Sequence, residues 1–393
     1  MKRVAVVGGG AAGYFFAINL KEMAPDTQIT IFEKSKRVLR KVKISGGGRC
    51  NCTNTFEQVK DLSAVYPRGH RLMKRLFNVF NQHDTMRWFE EHGIKLTIQS
   101  DGCVFPASQS SETIINSFLR LAQQHGIKTV CNTKISSLYE LKDFDDVVIT
   151  IGGAAQPNSL DWLQKEGIET LPSLPSLYTM KIDDAALQNL MGTVVKRVTA
   201  FIPGTRFKAE DTILITHWGM SGPAILKLSS YAAPLLHSKN YQANLGINWC
   251  NMPDTEVMQV LKTAAIQNPK KVIASFCPLN LPQRLWKYLV GKTLRNDNQR
   301  WYDISKKDLS RLINTLTNDL YQMNGRGTHK EEFVTCGGIA LSAVHPNTLE
   351  SRVHPHLYFA GEILDIDGIT GGFNFQAAWT TAYVIAKQIA QQK

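Results

Sequence analysis

Apolar residues first gather in short, unbroken runs. RVAVV at 3–7 and QITIF at 28–32 are of strand length and lack the alternation of a half-buried strand. Both therefore predict strands covered on two faces, as in a parallel sheet. Between them, Ala11 to Met23 keeps apolar residues at helical spacing. Strand, helix and strand in this order make a βαβ unit, the opening of a doubly wound α/β sheet. Helical patterns recur at 71–92 and 110–125, the second opened by Ser110 and Ser111 with Glu112 in its first turn. Lys128 to Cys131 and Val147 to Ile151 predict further strands, the latter running into Gly152 and Gly153.

Past Pro172-Ser173-Leu174-Pro175 the pattern changes. Strand-like runs at 178–182, 193–202, 212–216 and 241–248, with turn residues between them, predict a small β-rich domain. From 254 to about 322 the periodicity is helical and the composition rich in Lys and Asn. Strand and glycine signals return at Glu332-Phe333-Val334 and at 357–361, and a last helix spans about Asn374 to Gln391. The expected organisation is one discontinuous domain, 1–172 with 333–393, interrupted by an insert over 173–332. That insert is β-rich to 253 and mainly helical from 254.

Gly8-Gly9-Gly10-Ala11-Ala12-Gly13 satisfies G-x-G-x-x-G and lies between a strand and a helix, the context that gives this motif meaning. Gly8 permits the tight turn, Gly10 lets backbone approach a pyrophosphate, and Gly13 lets helix pack on strand. The pyrophosphate would sit over the helix N-terminus, where free N–H groups and the dipole favour anions. Glu33, 20 residues beyond Gly13, stands where a ribose diol would be bound. A carboxylate there would repel a 2′-phosphate, which argues against NADP at this site.

A distant pair of signals selects FAD over NAD. Leu357-Tyr358-Phe359-Ala360 leads into Gly361-Glu362, and Gly371-Gly372-Phe373-Asn374 then opens the terminal helix. In FAD proteins of the glutathione reductase type such an acid meets the ribityl chain. The following helix points its N-terminus at the flavin N1/C2 edge, where the reduced flavin carries negative charge. Only one G-x-G-x-x-G is present, so a second, nicotinamide-binding Rossmann domain is not visible. The expected cofactor is non-covalent FAD, with NAD(P)H as a transient electron donor.

GGGAAG at 8–13, ISGGGRCNCTN at 44–54, THWGMSGPAIL at 216–226 and YFAGEILDIDGITGGFNFQAAW at 358–379 together resemble the HI0933-like (YhiN-type) flavoproteins. The resemblance implies a Rossmann-like FAD-binding fold of the glutathione reductase type, interrupted by an insert with a β-barrel and a helical part. It implies NAD(P)/FAD-dependent oxidoreductase activity; members include an aminoacetone oxidase and a reductase linked to bile-acid dehydroxylation. Carried onto this chain, it places Gly8, Gly10, Ala11, Ala12 and Gly13 on the pyrophosphate and Glu33 with Lys34 near the adenosine ribose. Arg40 and Lys41 would hold phosphate or ribityl oxygens. Ser45, Gly46, Gly47, Gly48, Arg49, Cys50 and Asn51 would line the flavin, and Gly152 is a further cofactor-binding candidate. Gly361 and Glu362 would meet the ribityl chain, and Gly372, Phe373 and Asn374 the pyrimidine edge. A solvated basic face is the other reading of Lys34, Arg40 and Lys41. The chain departs from the family after Gly153, where AAQPNSLDWL replaces a longer Ser/Pro/Gly-rich loop.

Flavin chemistry asks little of the protein beyond positioning, since N5 exchanges hydride with the substrate. The expected reaction moves hydride or electrons between the flavin and a small organic substrate of the amine, ketone or enone class, or NAD(P)H. His217, in Thr216-His217-Trp218-Gly219 at the start of an expected helix with Ser221 as N-cap, is the candidate base; Tyr178 and His70 are further candidates. A structural histidine at the edge of the insert is the competing reading of His217. Two other functions compete: an RNA-modifying flavoprotein whose basic insert grips tRNA, and a non-enzymatic flavin-binding redox sensor.

The net charge of +12 bears on that choice. Seven basic and no acidic residues fall between Lys34 and Arg49, and the insert carries 20 Lys+Arg against 12 Asp+Glu. Without an interleaved aromatic stripe or an RNA-recognition motif, this surplus reads as a soluble surface and not as a nucleic-acid footprint. The expected partner is a small molecule, with neither nucleic acid nor membrane. Seven scattered cysteines fit a reducing compartment. Met1-Lys2-Arg3 and the apolar run after it resemble a signal peptide, but the glycines fall at dinucleotide-binding spacing and no cleavage site follows. No stretch reaches the ~18 apolar residues of a spanning helix, so the expected location is the cytoplasm. Cys50 and Cys52 lack the second ligand pair a structural zinc needs. Their one-residue separation would strain a disulfide.

Overall fold

A computed structural model of the chain describes residues 1–153, 158–294, 296, 298–327 and 334–392. Two compact units divide it: Met1–Ser176 with His329–Lys393, and Leu177–Thr328.

The first unit is built on a five-stranded parallel sheet in the order Leu357–Phe359, Asp146–Ile149, Arg3–Val7, Gln28–Phe32, Lys128–Val130. Val4, Ala5, Val6, Ile31, Val148 and Ile149 are fully buried, which is why these strands carry unbroken apolar runs. Helices Ala11–Met23 and Phe373–Gln391 pack against each other, and each buries small residues, Ala12 and Ala17 in the first and Ala378 and Ala382 in the second. The C-terminal segment thus supplies both an edge strand and a covering helix. A small antiparallel sheet, Thr53–Asn54, Cys103–Pro106 and Leu96–Ile98, completes the unit together with an aromatic core of Phe15, Trp88, Phe89, Phe118 and Trp379.

The single helix expected over 71–92 is two, His70–Leu76 and Gln82–Glu91. Asn81 divides them: its side chain accepts from the N–H groups of His83 and Asp84, while Asp84 caps Asn81 in return. The boundary placed at 173 also moves. Thr170–Ser176 is a strand despite Pro172 and Pro175, pairing with Val334–Ile339 in a two-stranded ribbon whose free edges tolerate proline. Residues 173–176 therefore belong to the first unit. Residues 154–157, which begin the short link after Gly153, lie outside the described residues, as do Glu332 and Phe333.

The second unit holds a six-stranded antiparallel sheet in the order Asp319–Asn324, Gln242–Asn248, Val194–Phe201, Lys208–Thr216, Gly219–Ser221, Met180–Lys181. Its ends meet: Lys181 N–H donates to the Gly325 carbonyl at 2.9 Å, and Met180 bridges Arg326. The sheet so closes into a barrel. Helices Asp254–Gln267, Gln283–Thr293 and Lys306–Thr317 form the helical part. Asp319–Asn324, taken with the helical stretch in sequence, is a strand of strictly alternating burial that pairs with Gln242–Ile247.

Candidate functional site

Gly8 and Gly13 are demanded by close backbone packing. Gly8 has φ +117°, and a Cβ there would lie 2.4 Å from the Thr150 carbonyl oxygen; one on Gly13 would lie 2.2 Å from the Gly8 carbonyl oxygen. Gly10 differs: a Cβ at Gly10 would meet nothing within 4 Å. Gly10 is the N-cap of helix Ala11–Met23, and neither a capping side chain nor an acid in the first turn serves this helix end. Orphan N–H groups and the positive end of the dipole therefore face open space, as an anion site requires. Beside it, Glu33 is pinned by the N–H groups of Gly9 at 2.9 Å and Ser35 at 2.8 Å, one on each carboxylate oxygen. Each oxygen keeps acceptor capacity for a diol.

Residues 40–44 make one helical turn, after which Gly46, Gly47 and Gly48 run left-handed at φ 56°, 67° and 81°. A side chain at each would cost ~1–2 kcal/mol, the reason three glycines stand together here. At Gly47 and Gly48 a Cβ would meet nothing within 4 Å, so conformation alone demands glycine and the loop surface stays open. Arg49 is held across the loop, donating to the Gly46 carbonyl at 3.1 Å with its guanidinium 4.2 Å from the centre of the Phe105 ring. Cys50 and Cys52 are fully buried, their sulfurs 4.0 Å apart. Burial pushes the Cys52 thiol well above its usual range, which keeps it protonated and unreactive.

Asn51 joins the loop to the C-terminal helix. With its amide oriented to satisfy its neighbours, it donates to the carbonyls of Thr53 at 2.8 Å and Val104 at 3.2 Å and accepts from Gly372 N–H at 3.2 Å. Gly372 is the N-cap of helix Phe373–Gln391 at φ 90°, and a Cβ there would lie 2.3 Å from the Thr53 carbonyl oxygen. The Asn374 side chain is spent on Gly368, exchanging two hydrogen bonds of 2.8 Å, so only its main chain is available to a ligand. Phe373 is buried, edge-on to Phe56 and Tyr66. Behind this turn Arg68 forks onto both oxygens of fully buried Asp367, which also accepts from Ser176 Oγ at 2.8 Å.

Glu362 is tied to Lys41 at 2.6 Å across 321 residues of sequence and accepts from Thr335 N–H at 2.9 Å. Gly153 is required beside it, since a Cβ there would lie 2.5 Å from a Glu362 oxygen. Burial alone would raise the Glu362 pKa. The Lys41 charge and hydrogen bond, with the N–H groups of Thr335 and Gly153, outweigh burial and hold it below the usual carboxylate value. Because the folded value lies below the unfolded one, the carboxylate stabilises the fold above about pH 4.5, and that contribution is lost as pH falls through the folded value. Glu362→Gln should therefore lower Tm at pH 7 by an amount that shrinks steadily towards pH 3. A Tm difference independent of pH would show that the charge contributes nothing.

The structure thus gathers Gly8, Gly10, Ala11, Ala12, Gly13, Glu33, Lys41, the 45–51 loop, Gly361, Glu362 and Gly372 in the first unit. Lys34 and Arg40 are exposed in the same unit. His70 opens helix His70–Leu76, its Nδ1 shielded from solvent and without a hydrogen-bond partner among the described residues. His217 belongs to the second unit and is not at a helix start. It sits exposed on the hairpin turn between Lys208–Thr216 and Gly219–Ser221, its ring 4.0 Å from that of Trp218. Helix Pro223–Tyr231 begins later, capped by Gly222 at φ 94° and not by Ser221. A Cβ at 222 would lie 2.8 Å from the Leu214 nitrogen. Tyr178 is fully buried in the second unit. Sequence reasoning missed the Lys41–Glu362, Asn51–Gly372 and Arg68–Asp367 links, whose partners stand some 300 residues apart and leave no local signal.

An uncapped glycine-turn helix, a pinned acid after the second strand and a C-terminal strand–acid–helix unit on one parallel sheet define the Rossmann-like FAD-binding fold of the flavin-dependent oxidoreductases. The open space at Gly10, Gly47 and Gly48 fits such a cofactor. The chain matches the HI0933-like protein Rossmann domain over residues 2–388 and belongs to that family. It is similar to a ribosomal RNA dihydrouridine synthase of Haemophilus influenzae, 26% identical over 411 residues that cover 98% of each chain. It is also similar to a 3-dehydro-bile acid delta(4,6)-reductase of Clostridium scindens, 25% identical over 415 residues that cover 100% of each. Among solved structures, 3-ketosteroid delta1-dehydrogenase from Sterolibacterium denitrificans shares the fold at a TM-score of 0.50 and 11% identity, with 100% of both chains covered. The chain is an FAD-dependent oxidoreductase. Among the described residues no helix is long and apolar enough to cross a membrane.

Proposed function

We propose that this enzyme reduces a carbon–carbon double bond conjugated to a carbonyl group. The observation that carries this reading is that relatives with unlike substrates, each aligned over 98% or more of this chain, are named for one kind of bond chemistry. A uracil C5=C6 bond and the double bonds of a delta(4,6)-3-ketone are both activated by a conjugated carbonyl. When bound, FAD supplies the two-electron carrier. The Gly10 helix end would hold its pyrophosphate, Glu33 its ribose, the left-handed 46–48 backbone the ring, and Glu362 with Lys41 the ribityl chain. NAD(P)H is the donor that would recharge it. The test is anaerobic: photoreduced holoenzyme is mixed with testosterone, a steroid enone, and with uridine, and the flavin band is followed. Rapid return of oxidised flavin with either supports the reading; none with either overturns it.

A uridine within RNA is the second reading of the substrate. Leu177–Thr328 carries 19 Lys+Arg against 10 Asp+Glu, and a second relative, the ribosomal RNA dihydrouridine synthase of Escherichia coli, is 26% identical over 99% of this chain. A deletion strain whose ribosomal RNA keeps its full dihydrouridine content would dismiss it.

A further inference from the structure

The charge surplus of the second unit has a local focus. We infer that the ribbon formed by residues 269–273 and 299–302, with the start of the following helix, is a docking surface for unpaired RNA; this rests on the RNA reading above. Two segments remote in sequence are zipped together there: Trp301 N–H donates to the Lys271 carbonyl at 3.1 Å, Tyr302 N–H to Pro269 at 3.0 Å, and Ile273 N–H to Gln299 at 2.9 Å, with Val272 bridging Arg300. Beneath it Ile273 and Trp301 are buried, and Trp301 lies nearly parallel to Trp286 at 6.4 Å, so the ribbon rests on a packed base. Its outer side carries exposed Lys270 and Arg300; Lys271, also exposed, lays its ammonium 4.1 Å from the centre of the Phe276 ring, and Lys306 and Lys307 open helix Lys306–Thr317. None of these five cations forms an ion pair among the described residues. Among the described residues, Asp303 is the exposed acid beside them.

Tyr302 stands 61% exposed in this field of positive charge. A large ring held out in water among cations suits one kind of partner: a polyanion with flat faces to stack. Unpaired nucleotides supply both, phosphate for the cations and base for the ring. Duplex RNA hides its base faces and would use the cations alone.

The test uses full-length holoenzyme and a 5′-labelled oligouridylate of about 12 nucleotides, with anisotropy read from 50 to 300 mM salt. A hairpin duplex of equal charge serves as competitor. Lys270→Gln/Lys271→Gln/Arg300→Gln should weaken binding at least ~10-fold and flatten the slope of log K against log salt by about 2, near 0.7 per lost phosphate contact. Tyr302→Ala should weaken it ~5- to 100-fold with the slope unchanged, the mark of lost stacking. Lys196→Gln/Arg206→Gln/Lys239→Gln removes the same charge from exposed sites elsewhere in the unit and should change little. Flavin content reports folding of each variant. If this control triple weakens binding as much as the ribbon triple, net charge alone acts and the surface is overturned. The same holds if the ribbon variants bind like wild type, or if the duplex is preferred, while the RNA reading stands. A wild type that binds no RNA at 50 mM salt overturns both, leaving the enone assay to judge the reaction.

Discussion

Gly10→Asp is expected to give a protein that is slightly more stable than wild type without flavin and unable to hold FAD. The two effects share one cause. Gly10 is an N-cap with extended backbone (φ −93°, ψ −167°), no side chain serves that cap, and a Cβ there meets nothing within 4 Å. Aspartate fits without strain, accepts from the orphan N–H groups and complements the dipole, together worth ~0.5–1 kcal/mol. For a unit of this size that raises the apoprotein Tm by about 1–3 °C. The same carboxylate then occupies the place proposed for a pyrophosphate. At about 4 Å and an effective dielectric near 20, two like charges repel by ~4 kcal/mol, roughly a 10³-fold loss of affinity. Differential scanning fluorimetry of the apoprotein and flavin titration check the two halves. A variant that binds FAD normally would move the pyrophosphate elsewhere; one that unfolds would show that Gly10 serves packing.

Arg68→Leu is expected to lower stability by ~3–5 kcal/mol, because it removes the guanidinium that forks onto both oxygens of the fully buried Asp367 carboxylate. That corresponds to a Tm drop of roughly 6–20 °C. Asp367 leads into Gly368, whose main chain is clasped by Asn374 at the start of the terminal helix. Loosening it should therefore release flavin as well. Arg68→Leu/Asp367→Leu removes both charges at once and should recover most of the lost stability, since an unpaired buried ion costs more than an absent pair contributes. Thermal unfolding of the single and double variants decides. A single variant within about 1 kcal/mol of wild type would mean that water reaches Asp367.

Much of the flavin unit was legible because its signals are local. Glycine at 8, 10 and 13 between an apolar strand and an apolar helix admits few other uses, and Glu33 follows at the end of the next strand. The three glycines at 46–48 were legible as positions that exclude side chains, though the left-handed conformation that requires them was not. The split of 71–92 escaped because Asn81 reads as an ordinary polar position until its side chain is seen to cap the second helix. His217 was misplaced by one turn of structure, since Gly222 and Pro223 mark the helix start more strongly than Ser221 does.

By itself the sequence determined the class of this protein. Strand and helix periods, glycine spacing and the terminal acid are written within a few residues of one another, where backbone sterics and hydrogen bonding leave little choice. Tertiary structure alone decided what depends on closure of the chain. It brought Lys41 to Glu362, Asn51 to Gly372 and Arg68 to Asp367. It closed the inserted sheet through Lys181 and Gly325. It also set Tyr302 beside Lys270 and Lys271, turning scattered lysines with no aromatic stripe in sequence into a mixed basic and aromatic surface. Such pairings form when buried area and hydrogen bonds recover the entropy of closing long loops, and a cost shared over hundreds of residues leaves no mark on any short stretch of them.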